Sequence, residues 1–171
     1  MKILELPDYS GFSAIVDLDQ YKSFVASNWD FDLLKKHFVK QMDLNRILVW
    51  ATSGSGGTWQ VKIGDEKSDA SPFREVKGVI EVTNNRLYLC NYETLTMAAQ
   101  FETVQLPEAY LDSLFIDLEN GKYGVAIRQM HDLENYFDEN NEIDFEVILR
   151  KIRKFPEIYN NQFGEIIWWK D

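Results

Sequence analysis

The stretch 76-VKGVIEVTNNRLYLCNYETLTM-97 decides the expected fold of this 171-residue chain. Two runs rich in β-branched, aromatic and aliphatic residues flank Asn84-Asn85, a composition typical of β-strands. Asparagine tolerates the positive φ angle that a tight hairpin turn requires. The stretch therefore predicts one long β-hairpin at the centre of a β-rich protein.

Other runs with strand character occur on both sides of this stretch. They are apolar throughout or alternate apolar and polar residues, and they cover 2–6, 12–18, 47–51, 58–63, 114–118, 122–130, 145–152 and 165–169. The run 47–51 (ILVWA) is apolar on both faces, which predicts a central strand covered on both sides. Asn120-Gly121 is a strong turn signal and predicts a second hairpin between 114–118 and 122–130.

Two segments near the N-terminus have helical character. Asp30 is a candidate N-cap for a helix from Phe31 to about Asp43, whose apolar residues recur every three or four positions. Asp19 is a candidate N-cap for a shorter helix that reaches about Ala26. The longer helix is amphipathic, so we expect it to dock on a sheet.

These elements predict a mainly β (α+β) fold in a single domain, residues 1–171. The chain shows no βαβ alternation, and its strands are short and joined by tight turns. This pattern favours an antiparallel β-sandwich or a partly closed barrel of about nine strands, with one or two N-terminal helices packed on it. The polar segment 64–72, which we expect to be mobile, is the one candidate for a weak boundary within the domain.

The expected cellular compartment follows from three features that the sequence lacks. No apolar run approaches the roughly 20 residues that a bilayer-spanning helix needs. The first residues, MKILELPDYSG, do not have the pattern of a signal peptide. A single cysteine, Cys90, can form neither an internal disulfide nor a cysteine-based zinc cluster. We therefore expect a cytoplasmic protein without a membrane partner.

The net charge of −10 is concentrated in one part of the chain. Residues 108–146 contain 11 acidic and 2 basic side chains, so this segment carries nearly all of the excess negative charge. A face built from it would repel nucleic acid and attract a cationic protein. The alternative interpretation is that acidic loops keep the protein in solution.

The acidic run 132-DLENYFDENNE-142 and the C-terminal tryptophan pair supply the candidate partner surface. Trp168 and Trp169 are adjacent, so on a strand they would face opposite ways and one of them would be an exposed anchor. The residues assigned to this surface are Asp132, Glu134, Tyr136, Asp138, Glu139, Glu142 and Trp169.

The glycine-rich loop 52–57 (TSGSGG) is a candidate ligand loop. Backbone amides in such a loop can cradle a phosphate, but here no helix follows and the Lys-Ser/Thr pair of a phosphate-binding P-loop is missing. A flexible turn at the mouth of a pocket is the favoured interpretation. The residues involved are Ser53, Gly54, Ser55, Gly56 and Gly57.

Catalytic and metal-binding candidates are few. His131 precedes Asp132 and Glu134 and could act as a base with acidic neighbours. The acidic run fails as an EF-hand, because Ile143 and Leu149 occupy the positions of the turn glycine and the bidentate glutamate. The sequence therefore assigns no catalytic residue, no metal site and no cofactor.

Three functional hypotheses follow from these features. The first is a non-enzymatic acidic binding protein that engages a basic protein partner. In acidity and size, though not in any motif, the chain is similar to the small immunity proteins of bacteria, which block basic nuclease toxins. The alternatives are a small-ligand-binding β-barrel or sandwich with loop 52–57 at the mouth of its pocket, and an enzyme that uses His131 with its acidic neighbours.

Overall fold

The computed structural model describes residues 1–134, 143–157 and 163–170. This part of the chain forms nine β-strands and two α-helices. The strands are β1 (Lys2–Asp8), β2 (Phe12–Val16), β3 (Ile47–Ala51), β4 (Gly57–Gly64), β5 (Arg74–Val82), β6 (Arg86–Asn91), β7 (Phe115–Asp117), β8 (Gly121–Gln129) and β9 (Phe145–Ile152). The helices are α1 (Phe31–Asp43) and α2 (Tyr92–Gln100), and a single 3₁₀ turn covers Ala109–Leu111.

The strands form two sheets that do not close into a barrel. One sheet has five strands in the order β1-β4-β9-β8-β5, and the other has four in the order β3-β2-β6-β7. Neighbouring strands are antiparallel except for β4 and β9, which are parallel. The predicted α+β sandwich is confirmed, and the barrel alternative is not what the chain forms.

The core lies between the sheets and under α1. Trp50 on β3 faces the other sheet, where its ring centroid lies 6.0 Å from that of Phe145 on β9. Phe12 on β2 faces the opposite way and makes an edge contact with Phe38 of α1 at 5.3 Å. Because α1 covers the outer face of the four-stranded sheet, every residue of β2 and β3 is buried.

The predicted central hairpin is wrong. β5 belongs to the five-stranded sheet and pairs with β8, whereas β6 belongs to the four-stranded sheet and pairs with β2 and β7. Asn85 has the expected positive φ of 54°, but the link it sits in carries the chain from one sheet to the other. The second arm also ends early, because the Asn91 side chain caps α2 by accepting a hydrogen bond from the Thr94 amide at 3.0 Å.

The second predicted hairpin is wrong in the same way. β7 pairs with β6 and β8 pairs with β5 and β9, so the link at Asn120-Gly121 also crosses between the sheets. The two links are hydrogen-bonded to each other: the Asn85 amide donates to Asn120 Oδ1 at 2.6 Å, and the Leu118 amide donates to the Asn85 carbonyl at 3.0 Å. The turn signals located the changes of direction correctly but did not indicate which strands pair.

The helix predictions have a mixed outcome. α1 has the predicted bounds and is capped by Asp30, whose carboxylate accepts from the Leu33 amide at 2.7 Å. The segment 19–26 is not helical. No helix in the described residues is both long and apolar enough to cross a bilayer.

The run 47–51 is covered on both faces as predicted, but β3 is an edge strand. The C-terminal segment 163–170 protects this edge. The Ile167 amide donates to the Val49 carbonyl at 3.1 Å, and the Ala51 amide donates to the Ile167 carbonyl at 2.8 Å. The predicted last strand, 165–169, is reduced to this one bridge, because Trp168 turns the chain with a φ of 63°.

Candidate functional site

An open cleft of about 430 Å³ lies at the end of the sandwich where β3 runs into the glycine-rich loop. Its walls come from the β1–β2 turn, that loop, the start of β5, the segment after β8 and the C-terminal segment. The lining residues are Ser10, Gly11, Ala51, Thr52, Gly54, Phe73, Arg74, Gln129, Asp132, Leu133, Glu134, Trp168, Trp169 and Lys170.

The cleft brings together residues that the sequence analysis singled out for different reasons. Asp132, Glu134 and Trp169 of the predicted partner surface line it, together with Gly54 of the predicted ligand loop. The Glu134 carboxylate accepts a hydrogen bond from the Gly54 amide at 3.1 Å. The remaining members of the predicted partner surface, Tyr136, Asp138, Glu139 and Glu142, lie outside the described residues.

The glycine-rich loop is held by its own hydrogen bonds. The Ser55 amide donates to Ser53 Oγ at 3.1 Å, and the Gly56 amide donates to the Ser53 carbonyl at 3.1 Å. With the Gly54 amide bound to Glu134, these amides already have acceptors, as is typical of a turn and not of a phosphate cradle. Gly57 begins β4.

Asp8 organises the floor of this region, and sequence reasoning missed it. Its side chain is fully buried and accepts hydrogen bonds from the amides of Ser10 and Gly11 at 3.3 and 3.2 Å and from Trp59 Nε1 at 3.0 Å. The Thr52 hydroxyl donates a further hydrogen bond. One carboxylate therefore ties together the β1–β2 turn, the glycine-rich loop and β4.

Arg74 places a cation inside the cleft. Its guanidinium lies 4.4 Å from the centre of the Trp168 ring, and its Nε donates to Gln129 Oε1 at 2.7 Å. Burial lowers the pKa of Arg74, and the charge of Asp132 opposes this shift. Trp169 packs on the other side against Phe31 of α1, with the ring centroids 4.9 Å apart. Both tryptophans are therefore half-buried parts of the wall.

His131 has a local structural partner. Its Nε2 lies 2.9 Å from Asp144 Oδ1, while Asp144 Oδ2 accepts from the Gln60 amide at 2.7 Å. Burial raises the pKa of Asp144, and its bonds with Gln60 and His131 oppose the rise. The pair connects the end of β8 to β4 and the start of β9. In the part of the chain that the structure describes, no group of three residues could hold a metal ion.

The described carboxylates of the acidic segment 108–146 do not form one face, because β7, β8 and β9 distribute them over both sheets. Several are held by internal cations: Asp117 by Arg86 at 3.0 Å, Glu119 by Lys151 at 2.7 Å, and Glu146 by Lys62 at 2.9 Å and by Arg128. Glu134 at the cleft has no such cation among the described residues. In the residues that the structure describes, the acidic surface is thus smaller than the sequence predicts.

Comparisons with known proteins inform the fold. No family model and no curated protein matches the chain. Among solved structures, it is similar to the protein described as "Crocagin biosynthetic gene J", with a TM-score of 0.59 and 13% identity over 88% of this chain and 96% of that chain. It also matches ComJ from Bacillus subtilis, described as an inhibitor of the DNA degrading activity of NucA, with a TM-score of 0.47 and 11% identity over 89% of this chain and 96% of that chain. The first likeness shows a shared fold across nearly the whole of both chains.

Proposed function

We propose that this protein is a non-enzymatic acidic binding protein of the cytoplasm that engages a basic protein partner at the cleft, in the manner of an immunity protein that neutralises a toxin. One observation carries the proposal. Asp132, Glu134, Trp169 and the glycine-rich loop, singled out separately in the sequence, meet around the same cleft.

The described cleft carries both signs of charge, because Asp132 and Glu134 line it together with Arg74 and Lys170. Glu134 is exposed and bonds only a backbone amide among its described contacts, so its charge is available to a partner. Attraction between the Glu134 carboxylate and a basic partner would speed their encounter, and the aromatic side chains of Phe73 and Trp169 would add short-range contacts.

The two alternative functions are catalysis by His131 and the binding of a small ligand. The position of His131, bonded to Asp144 and held between strands, supports a structural role over a catalytic one. Binding of a small ligand is favoured by the cleft itself, whose volume falls in the range of about 300–1,000 Å³ typical of ligand sites. A ligand selective for the folded state would raise the melting temperature in a screen of metabolites, nucleotides and lipids.

Capture from a native lysate of the source organism tests the main proposal. Immobilised wild-type protein should retain a basic protein at about 50 mM salt and release it at about 500 mM, because salt screens the attraction. The Glu134→Lys variant should retain much less. The retained protein is identified by mass spectrometry, purified, and assayed for nucleic acid cleavage with and without this protein, since cleavage that it blocks would support an immunity function.

The matched control is Glu66→Lys, which makes the same charge change at an exposed position in the loop between β4 and β5. It should retain the partner as the wild type does. Retention of no basic protein, retention that ignores salt, or equal losses in both variants would each refute binding at the cleft rim.

A further inference from the structure

Two of the most exposed aromatic side chains lie near Glu93, and one of them belongs to the turn that lines the cleft. Tyr9, in the β1–β2 turn, is 68% exposed, and Tyr110, in the 3₁₀ turn that follows α2, is 60% exposed. Tyrosine side chains that are this open on a folded surface are enriched at protein interfaces, because they offer a large contact area at little entropic cost.

Glutamates connect the two tyrosines. The hydroxyl of Ser10, next to Tyr9, donates to Glu93 Oε1 at 3.0 Å. Partial burial and the charges of Glu108 and Glu93 raise the pKa of Tyr110, while a hydrogen bond with Asn91 opposes the rise. Glu93 therefore lies near both tyrosines. We call the set Tyr9, Glu93, Glu108 and Tyr110 the Tyr9–Tyr110 surface.

The backbone beneath this surface is fixed. Asn91 is 1% exposed, and its Nδ2 donates to the Pro7 carbonyl at 2.7 Å while its Oδ1 caps α2. Asp8 holds the turn that carries Tyr9. A surface that is ordered before binding loses less entropy when a partner docks on it.

The Tyr9–Tyr110 surface continues into the cleft. A side chain added at Gly56 would come within 2.8 Å of the Tyr9 Cα atom, so the glycine-rich loop packs directly on the tyrosine backbone. Two residues earlier, the Gly54 amide bonds Glu134 on the rim. Ser10 itself lines the cleft, and its hydroxyl donates to Glu93, so the Tyr9–Tyr110 surface begins at the cleft.

The charge of this surface is not neutralised from within. Among the described residues, no lysine or arginine forms an ion pair with Glu93 or Glu108. By contrast, Asp117 and Glu119 elsewhere on the molecule pair with Arg86 and Lys151. The negative sign of this charge complements a cationic partner.

We propose that the Tyr9–Tyr110 surface is the second half of the partner interface, and that it contacts a patch of arginine and lysine side chains on the basic protein. The tyrosine rings would lie against the guanidinium and ammonium groups, an interaction worth most when it is shielded from water. Glu108 would pair with the same cations, and Glu93, whose oxygens are bonded to Ser10 or buried, would add long-range attraction. This inference rests on the proposed function and extends its site.

Calorimetry and stopped-flow kinetics with the purified captured partner test this inference. Tyr9→Ala and Tyr110→Ala should each weaken binding by about tenfold or more, mainly through faster dissociation. A Glu93→Gln/Glu108→Gln double variant should slow association several-fold and reduce its dependence on salt. The control is Leu44→Ala, which removes a 45% exposed side chain at the far end of β3 and should change affinity less than about twofold. Unchanged melting temperatures show that each variant is folded.

The outcomes separate the two proposals. If Glu134→Lys abolishes binding but both tyrosine variants bind as the wild type does, the Tyr9–Tyr110 surface is not part of the interface and the proposed function stands. If the tyrosine variants lose binding and Glu134→Lys does not, the interface lies on this surface and the assignment of the rim is wrong. If the wild type retains no basic protein, both proposals fall.

Discussion

Four donors converge on the carboxylate of Asp8, and this arrangement explains how the cleft region keeps its shape. An ionised carboxylate without partners would be very costly to bury, but hydrogen bonds from amide, hydroxyl and indole donors offset that cost. The signal that could have located Asp8 in the sequence is turn chemistry, because aspartate readily bonds the amides two and three residues ahead. The donors Thr52 and Trp59 lie 44 and 51 residues away, so only the fold reveals them.

Glu146 is a second buried carboxylate, and here the partners are cations. It is 1% exposed and bonds Lys62 at 2.9 Å and Arg128, which also donates to the Ala70 carbonyl at 2.6 Å. The segment 64–72, expected to be a mobile boundary, is thereby fastened to the outer face of the five-stranded sheet. The composition of the segment shows only that it is polar. It does not reveal that Arg128 on β8 binds its backbone.

The Glu146 network should make stability depend on acid pH. Burial alone would raise the pKa of Glu146, but the hydrogen bonds from Lys62, Ser68 and Arg128 hold it below its ordinary value. Because the folded pKa lies below the unfolded value of about 4.3, the network stabilises the fold fully above that pH and loses its effect as the pH falls through the folded pKa. Glu146→Gln should lower the free energy of unfolding by about 2 kcal/mol at pH 7, since Lys62 loses its bond to Glu146 and the buried Arg128 keeps only Glu75 as an ionic partner among the described residues.

Urea denaturation between pH 3 and pH 7 measures this effect. The difference in free energy of unfolding between the wild type and Glu146→Gln should decrease as the pH falls below about 4. Glu66→Gln, an exposed change of the same kind, should follow the wild type at every pH. If this difference stays constant with pH, the variant is destabilised by altered packing and not by the loss of an ionised carboxylate.

At the scale of elements, most strands and the principal helix could be predicted from the sequence, and the pairing of strands could not. A strand pattern and a turn signal depend on a few neighbouring residues, whereas pairing is decided by contacts with distant segments. The link at Asn84-Asn85 has hairpin chemistry, yet the pairing of β5 with β8 and of β6 with β2 and β7 competes successfully with a hairpin. The same competition explains why Asn120-Gly121 also joins two sheets.

The link between β5 and β6 allows a test that separates the effect of backbone conformation on stability from the effect of side-chain chemistry. Asn85 has a φ of 54°, which glycine adopts freely and a β-branched residue resists. Asn85→Gly should leave the free energy of unfolding within about 0.5 kcal/mol of wild type, and Asn85→Val should lower it by about 1–2 kcal/mol. Urea denaturation measures both.

Asn84→Val is the matched control, because Asn84 is equally exposed and lacks the positive φ. Asn84→Val should change the free energy of unfolding little. If Asn84→Val and Asn85→Val lower the free energy of unfolding equally, the positive φ of Asn85 is not what constrains the link between the sheets.

At the scale of the whole molecule, a sandwich of two open sheets must close its two long sides. On one side, Lys2 of β1 reaches across to β7, where its ammonium donates to the Phe115 carbonyl at 2.8 Å and lies 4.3 Å from the ring centre. On the other side, the C-terminal segment 163–170 runs between β3 and β5. It bridges to β3 at Trp50, and its Phe163 lies against Gly78 of β5. The closing segment also builds a wall of the cleft, so stability and the candidate site depend on the same residues.

This shared dependence gives the last prediction. Ile166 and Ile167 are 0% and 4% exposed, so Ile166→Ala or Ile167→Ala should lower the free energy of unfolding by about 2–4 kcal/mol each. Lys170→Ala, at an exposed position of the same segment, should stay within about 0.5 kcal/mol. Because the segment closes the core, urea unfolding followed by tryptophan fluorescence and by far-UV circular dichroism should give one coincident transition for each isoleucine variant. An early fluorescence change that precedes the loss of β-structure would mean that the segment detaches on its own, and the cleft would then be the least stable part of the molecule instead of a fixed feature of its core.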